Sequence, residues 1–124
     1  MVLSSYNAQC TLVRHCIREH VVHRIGGDND VINRIYQNVC TVASAQGLEC
    51  WLTIYKPGRG PLDDRRVGSA ALIDSIRDLY VLSTRAKQHL VIVAHWDYMG
   101  RHCRSWAGAL RMINALQARQ QNNQ

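Results

Sequence analysis

The stretch YMGRHCRSWAGALRMINALQAR, residues 98–119, predicts two helices separated by a tight turn. Apolar residues recur at helical spacing over residues 89–99, and Gly100 follows them as glycine does at the end of a helix. An arginine-rich helix is predicted next, over residues 104–117. Two helices joined in this way have the outline of a helix-turn-helix.

The first 47 residues predict a hairpin of two antiparallel helices. In the first helix, apolar residues recur four positions apart from Val13 to Ile25, and two glycines end it. Residues 28–30 offer N-cap side chains to a second helix that runs to Gly47. The apolar stripe of that second helix consists of Val31, Ile32, Ile35, Val39 and Val42.

Residues 48–55, LECWLTIY, change to a period of two, which is typical of a strand. No convincing partner strand is visible elsewhere in the sequence, and a lone strand leaves its backbone groups unpaired. Three interpretations stay open: a strand that pairs across a homodimer, an irregular extended segment, or a continuation of the helix.

The rest of the chain predicts further helices, the first of them capped by Ser69. The predicted fold class is therefore mostly α, with about five helices in one small domain. A short extended segment at 48–55 and a C-terminal helix-turn-helix complete the prediction. Within the single domain 1–124, the helical hairpin covers 7–47, the extended segment and a loop cover 48–68, and the C-terminal helices cover 69–119.

The charge of the chain indicates a negatively charged partner. The formal net charge is +6 and the pI is near 9.4, which makes nucleic acid, or a complex that contains it, the first candidate. Mild basicity is also common among small proteins that bind no nucleic acid. Charge alone leaves both interpretations open.

The cysteines and the apolar runs bear on location. The five cysteines are an odd number and match no disulfide framework or CxxC motif. No signal peptide is recognisable, and no apolar run approaches the roughly 18 residues of a membrane span. We therefore expect a cytoplasmic protein without membrane contact.

The C-terminal helix supplies the candidate nucleic-acid contacts. No acidic residue follows Asp97, so the end of the chain is uniformly positive. Arginine binds phosphates, and arginine, asparagine and glutamine also contact base edges. The predicted nucleic-acid-binding residues are Arg101, Arg104, Arg111, Asn114, Gln117 and Arg119. The plainer alternative is a basic, solvated helix that closes a bundle.

Metal binding and catalysis have weaker support in the sequence. Cys16, His20 and His23 share one helical face and are candidate zinc ligands, although a thiol beside two surface histidines explains them as well. The loop 56–61 is not followed by the Gly-Lys-Ser/Thr of a phosphate-binding loop. We expect no catalytic residues, no cofactor and no enzyme activity.

The chain resembles a known family over residues 74–119. It carries an acidic-flanked helix, LIDSIRDL, then Tyr98-Met99-Gly100, and then Trp106-Ala107 followed by Leu110 and Met112. This pattern resembles the C-terminal part of phage Q-type late-gene antiterminators, which are similar to the DNA-binding fourth region of bacterial sigma factors. The resemblance implies DNA binding at a late promoter, attachment to RNA polymerase and no catalysis. Arg111 and Ile113 stand where such families carry glycine and a serine or threonine, which leaves open one continuous helix from Arg104.

Two functional hypotheses follow from the sequence. The first is a small regulatory protein, antiterminator-like, that binds nucleic acid or a transcription complex. The alternative is a protein-binding inhibitor, such as an antiactivator or an anti-CRISPR-like factor, that covers a host partner's functional surface. Apolar candidates for such a surface are Trp51 and Tyr55. Homodimerisation is compatible with both hypotheses.

Overall fold

The computed structural model of the chain describes residues 1–58 and 73–122, and it alternates strands with helices. The strands are β1 (Val2–Ser4), β2 (Val39–Thr41), β3 (Cys50–Lys56) and β4 (Ala86–Ile92). The helices are α1 (Asn7–Ile25), α2 (Asn29–Gln37), α3 (Ile76–Arg85), α4 (Trp96–His102) and α5 (Arg104–Asn122), with a 3₁₀ turn at Ala43–Ala45.

The four strands form one parallel sheet in the order β2-β1-β3-β4. Val2 of β1 pairs with Val39 on one side and with Ile54 on the other. On the outer side of β3, Thr53 pairs with Leu90 of β4. The fold is therefore α/β, and the prediction of a mostly α domain is wrong.

Two strands were predicted as helix because they carry apolar residues at ambiguous spacing. The second predicted helix ends at Gln37 instead of Gly47, and Val39 lies in β2. Residues 86–92 form β4 instead of a helix, in keeping with the β-branched pair Val91-Ile92. The strand β1 is only three residues long, too short for any periodicity to show. The first predicted helix is confirmed as α1.

The extended segment predicted at 48–55 is β3. Its partners are β1 and β4 of the same chain, so the strand interpretation is confirmed without a second copy. The partners escaped the sequence analysis because one is very short and the other was assigned to a helix. The predicted helix cap is at a different serine: Ser75 rather than Ser69 caps α3, and its side chain accepts a hydrogen bond from Asp78 N. Ser69 itself lies outside the described residues.

The core lies between one sheet face and the C-terminal helices. Tyr55 of β3 stacks on Trp106 of α5, with ring centroids 5.6 Å apart and planes 3° from parallel. Burial raises the pKa of Tyr55 to about 12, although its hydrogen bond with Ser5 (2.8 Å) acts in the opposite direction. Around this pair the buried core contains Leu3, Val42, Ala45, Ile73, Leu82, Met99, Cys103 and Leu110. On the other face, α1 packs against β1 and β2.

The start of α5 is fixed by a distant segment of the chain. Asp74 Oδ1 accepts a hydrogen bond from Ser105 N at 2.6 Å, which is one of the N–H groups that a helix leaves unpaired at its N-terminus. Trp106 Nε1 donates to the carbonyl oxygen of Ile73 at 2.9 Å. These two bonds hold residues 73–74 against α5 and position α4 and α5 beside the sheet.

The C-terminal helices differ from the predicted helix-turn-helix in their connection. Cys103 alone joins α4 to α5, whereas a helix-turn-helix uses a turn of three or four residues. From Arg104 onward the chain is one continuous helix as far as Asn122.

None of the helices in the described part of the chain is both long and apolar enough to cross a membrane.

Candidate functional site

A polar site lies at the edge of the sheet where β3 and β4 begin. Residues 46–49 lead into β3, and Arg85, the last residue of α3, leads into β4. Because β3 and β4 are neighbouring parallel strands, their starts lie side by side. The fold thus brings Arg85 against a loop nearly forty residues earlier in the chain.

Arg85 is held by neutral oxygen atoms. Its Nη1 donates to the carbonyl oxygen of Leu48 at 2.9 Å and lies 3.5 Å from that of Ala45. Its Nε donates to Val81 O at 3.1 Å, and its Nη2 donates to Thr84 Oγ1 at 2.9 Å. Within the described residues no carboxylate forms an ion pair with this guanidinium. The half-buried side chain is therefore oriented, and among the described residues its positive charge has no carboxylate partner.

The acidic residue beside Arg85 has a different partner. Glu49, which follows Leu48, forms an ion pair with Lys87 of β4 at 3.3 Å. Both of these side chains are about half exposed, so the pair contributes little to stability.

The loop backbone beside Arg85 is open. Gly47 has a φ of +85°, in the left-handed region that favours glycine, and no atom lies within 4 Å of the position that a Cβ would take. A ligand can therefore approach the main chain closely at Gly47. An oriented, uncompensated guanidinium beside an open glycine suits a phosphate group, whose oxygens match the planar donor fork of arginine.

The sequence lacks the motif with which a phosphate-binding loop holds a nucleoside triphosphate. No Gly-Lys-Ser/Thr sequence is present to hold the β- and γ-phosphates. Arg85 alone would contribute one cation to a phosphate that is held elsewhere.

The structure brings three of the predicted nucleic-acid contacts together. Arg101 of α4 and Arg111 and Asn114 of α5 line one groove between these helices. Arg104 is exposed at the first position of α5. Gln117 and Arg119 also fall on α5, but their side chains lie outside the described part of the structure.

The candidate zinc ligands stay on the surface of α1. Cys16, His20 and His23 are all exposed, and a ring nitrogen of His20 lies 3.0 Å from the main-chain oxygen of Cys16. In the described ranges, no three His, Cys, Asp or Glu side chains are grouped as a metal site requires. Burial raises the pKa of the Cys10, Cys40 and Cys103 thiols, which disfavours the thiolate that binds metals.

A comparison with known protein families matches most of the chain. Residues 1–97 match the model of the AAA domain family, so the match includes the whole sheet and Arg85. The chain belongs to the AAA domain family. The expectation of no enzyme activity stays a prediction. A search of curated proteins finds no match.

Sequence reasoning missed Arg85 because it assigned residues 86–92 to a helix. A residue between a helix and a strand lies at the edge of a sheet. A residue between two helices does not. The available signal was the sequence Thr84-Arg85-Ala86-Lys87 just before the apolar run that starts at Leu90.

Proposed function

We propose that this chain is one half of a helicase-like, nucleotide-driven motor, in which it acts on a nucleotide that another domain holds. Arg85 contacts the terminal phosphates, and the open backbone at Gly47 lies against the same ligand. The observation that carries the proposal is the guanidinium of Arg85, oriented by the carbonyl oxygen of Leu48 and by Thr84 while free of an ion pair in the described structure.

Physical chemistry supports an arrangement in which one domain holds the nucleotide and Arg85 of this chain contacts its phosphates. In phosphoryl transfer, charge develops on the phosphate oxygens, and a pre-oriented cation stabilises it without reorganisation. An arginine supplied to a nucleotide bound elsewhere accelerates turnover by about 10³–10⁵-fold. Family membership supports it as well, because the matched residues include the sheet edge that carries the site.

The expected substrate of such a motor is nucleic acid. The net charge of +6 favours a polyanion, in line with the sequence-based prediction of a nucleic-acid partner. The antiterminator hypothesis and the protein-binding inhibitor hypothesis stay predictions, since no observation in the described residues favours either.

The test is ATP hydrolysis by the native assembly that contains this chain. We expect Arg85→Gln to lower turnover by about 10³-fold while the affinity for ATP changes little, because a second domain holds the nucleotide. Arg77→Gln, an exposed arginine on the same helix, is the matched control and should leave turnover unchanged. Equal turnover of the Arg85→Gln assembly and the wild type would refute the proposal.

A further inference from the structure

A second candidate site lies in the groove between α4 and α5. The groove has a volume of about 430 Å³. Its lining residues are Trp96, Asp97, Gly100, Arg101, Ala107, Leu110, Arg111 and Asn114. All of α5 lies beyond the residues that match the AAA domain family. The groove is therefore an element that family membership does not assign.

Small residues keep the groove open. Gly100 has no side chain, and the position of a Cβ there would be 3.9 Å from Leu110 Cδ1. Ala107 adds only a methyl group on the α5 side. A bulky branched residue at either position would fill the space that these small residues leave open.

Trp96 gives the groove an exposed aromatic surface. It is 41% exposed at the first position of α4, while Trp106 in the core is 1% exposed. Indole is a large apolar surface, and every nucleobase can stack on it whatever its sequence. An exposed tryptophan beside arginines is the combination that single-stranded nucleic-acid sites use.

The charge around the groove is mainly positive. Arg101 and Arg111 are exposed on opposite helices, and Arg104 is exposed between them in sequence. Asp97 is the one acidic residue in the lining. A carboxylate there suits the amino groups of a base edge, while the arginines suit phosphates.

We propose that this groove binds single-stranded nucleic acid, with one base stacked on Trp96 and the flanking phosphates bound by Arg101 and Arg111. Asn114 then contacts the edge of the stacked base, since its amide both donates and accepts. A duplex is excluded from this mode because its bases are already stacked on one another. The site does not depend on Arg85, and the two proposals are tested with different probes.

The first test measures fluorescence anisotropy of labelled twelve-nucleotide oligothymidylate and oligouridylate, and of a duplex of the same length. Trp96→Ala should weaken single-strand binding about five- to hundredfold. Trp51→Ala is the matched control, because Trp51 is 65% exposed at a distant position on β3. Equal losses in both variants, or tighter binding of the duplex than of either single strand, would overturn the proposal.

The second test uses the arginines and does not depend on how Trp96→Ala folds. Arg101→Gln and Arg111→Gln should each reduce the slope of log affinity against log salt by about 0.7, and Arg18→Gln on α1 should not. In a Trp51→Phe background, oligothymidylate should also quench the fluorescence of Trp96. Unchanged slopes in both arginine variants, or the absence of quenching, would contradict the proposal. A preference for the uridylate or the thymidylate strand identifies the form of nucleic acid that the groove takes.

Discussion

Arg85 Nη1 lies 2.9 Å from the carbonyl oxygen of Leu48, so one guanidinium joins the end of α3 to the loop that enters β3. Its bond to Val81 O adds a second anchor within α3. The side chain that we propose to act on a phosphate thus also has a structural role.

Replacing Arg85 should therefore destabilise the fold as well as remove the cation. We expect Arg85→Gln to lower the free energy of unfolding by roughly 1–2 kcal/mol, a value reduced by the partial exposure of the group. Urea denaturation followed by circular dichroism measures this loss. Arg77→Gln should stay within about 0.5 kcal/mol of the wild type. Wild-type stability in Arg85→Gln would contradict the anchoring role of these bonds.

Asp74 should make the stability of the chain sensitive to acid. Burial by itself raises the pKa of Asp74, but hydrogen bonds from Ser105 and Arg104, with the charge of Arg104, outweigh it and leave the pKa below its ordinary value of 3.8. A carboxyl with a lowered pKa in the folded state stabilises the protein fully above its unfolded pKa. That contribution is lost as the pH falls through the folded pKa.

Two substitutions separate the charge of Asp74 from its capping role. Asp74→Ala should cost about 1 kcal/mol at neutral pH, because the N–H of Ser105 loses its acceptor. Asp74→Asn keeps an acceptor oxygen and should flatten the dependence of stability on pH below about 4. Urea denaturation at neutral and acidic pH measures both effects. An Asp74→Asn variant with the same acid dependence as the wild type would refute the assignment.

Trp106 should contribute to stability through its indole nitrogen as well as its volume. Trp106→Phe removes the bond to the Ile73 carbonyl and leaves that buried acceptor unpaired. We expect a loss of about 2 kcal/mol in unfolding free energy, while the stack on Tyr55 is partly kept. Thermal or urea denaturation provides the measurement. Wild-type stability in Trp106→Phe would mean that the Ile73 carbonyl finds another donor.

Gly100→Ala should stabilise the chain. Gly100 lies within α4, where glycine costs roughly 0.5–1 kcal/mol relative to alanine. The new Cβ would be 3.9 Å from Leu110 Cδ1, an ordinary van der Waals distance. An increase of this size in the free energy of unfolding, measured by urea denaturation, is the expected result. A decrease would show that α4 needs glycine for a closer approach to α5.

The sequence predicted α1, the alternation of β3 and the basic C-terminal helix, because each extends over enough residues for its period to show. It did not predict the sheet. The strand β1 has three residues, and the apolar residues of β2 continue the helical spacing of α2. Because β4 was predicted as a helix, the sequence did not indicate that Arg85 lies at the edge of a sheet. The groove between α4 and α5 was predicted only in part: its arginines were named as nucleic-acid contacts, but Trp96 was not.

The most direct measurement of the central claim is a titration of the native assembly, in which this chain is the ¹⁵N-labelled component, with Mg²⁺-ATP, observed by NMR at the arginine Nε–Hε groups and the backbone amides. We predict shifts at the Nε–Hε group of Arg85 and at the amides of residues 47–49, and the same shifts in Arg77→Gln. Shifts that leave the Nε–Hε group of Arg85 and this loop unchanged would contradict the assignment of Arg85 to a nucleotide phosphate.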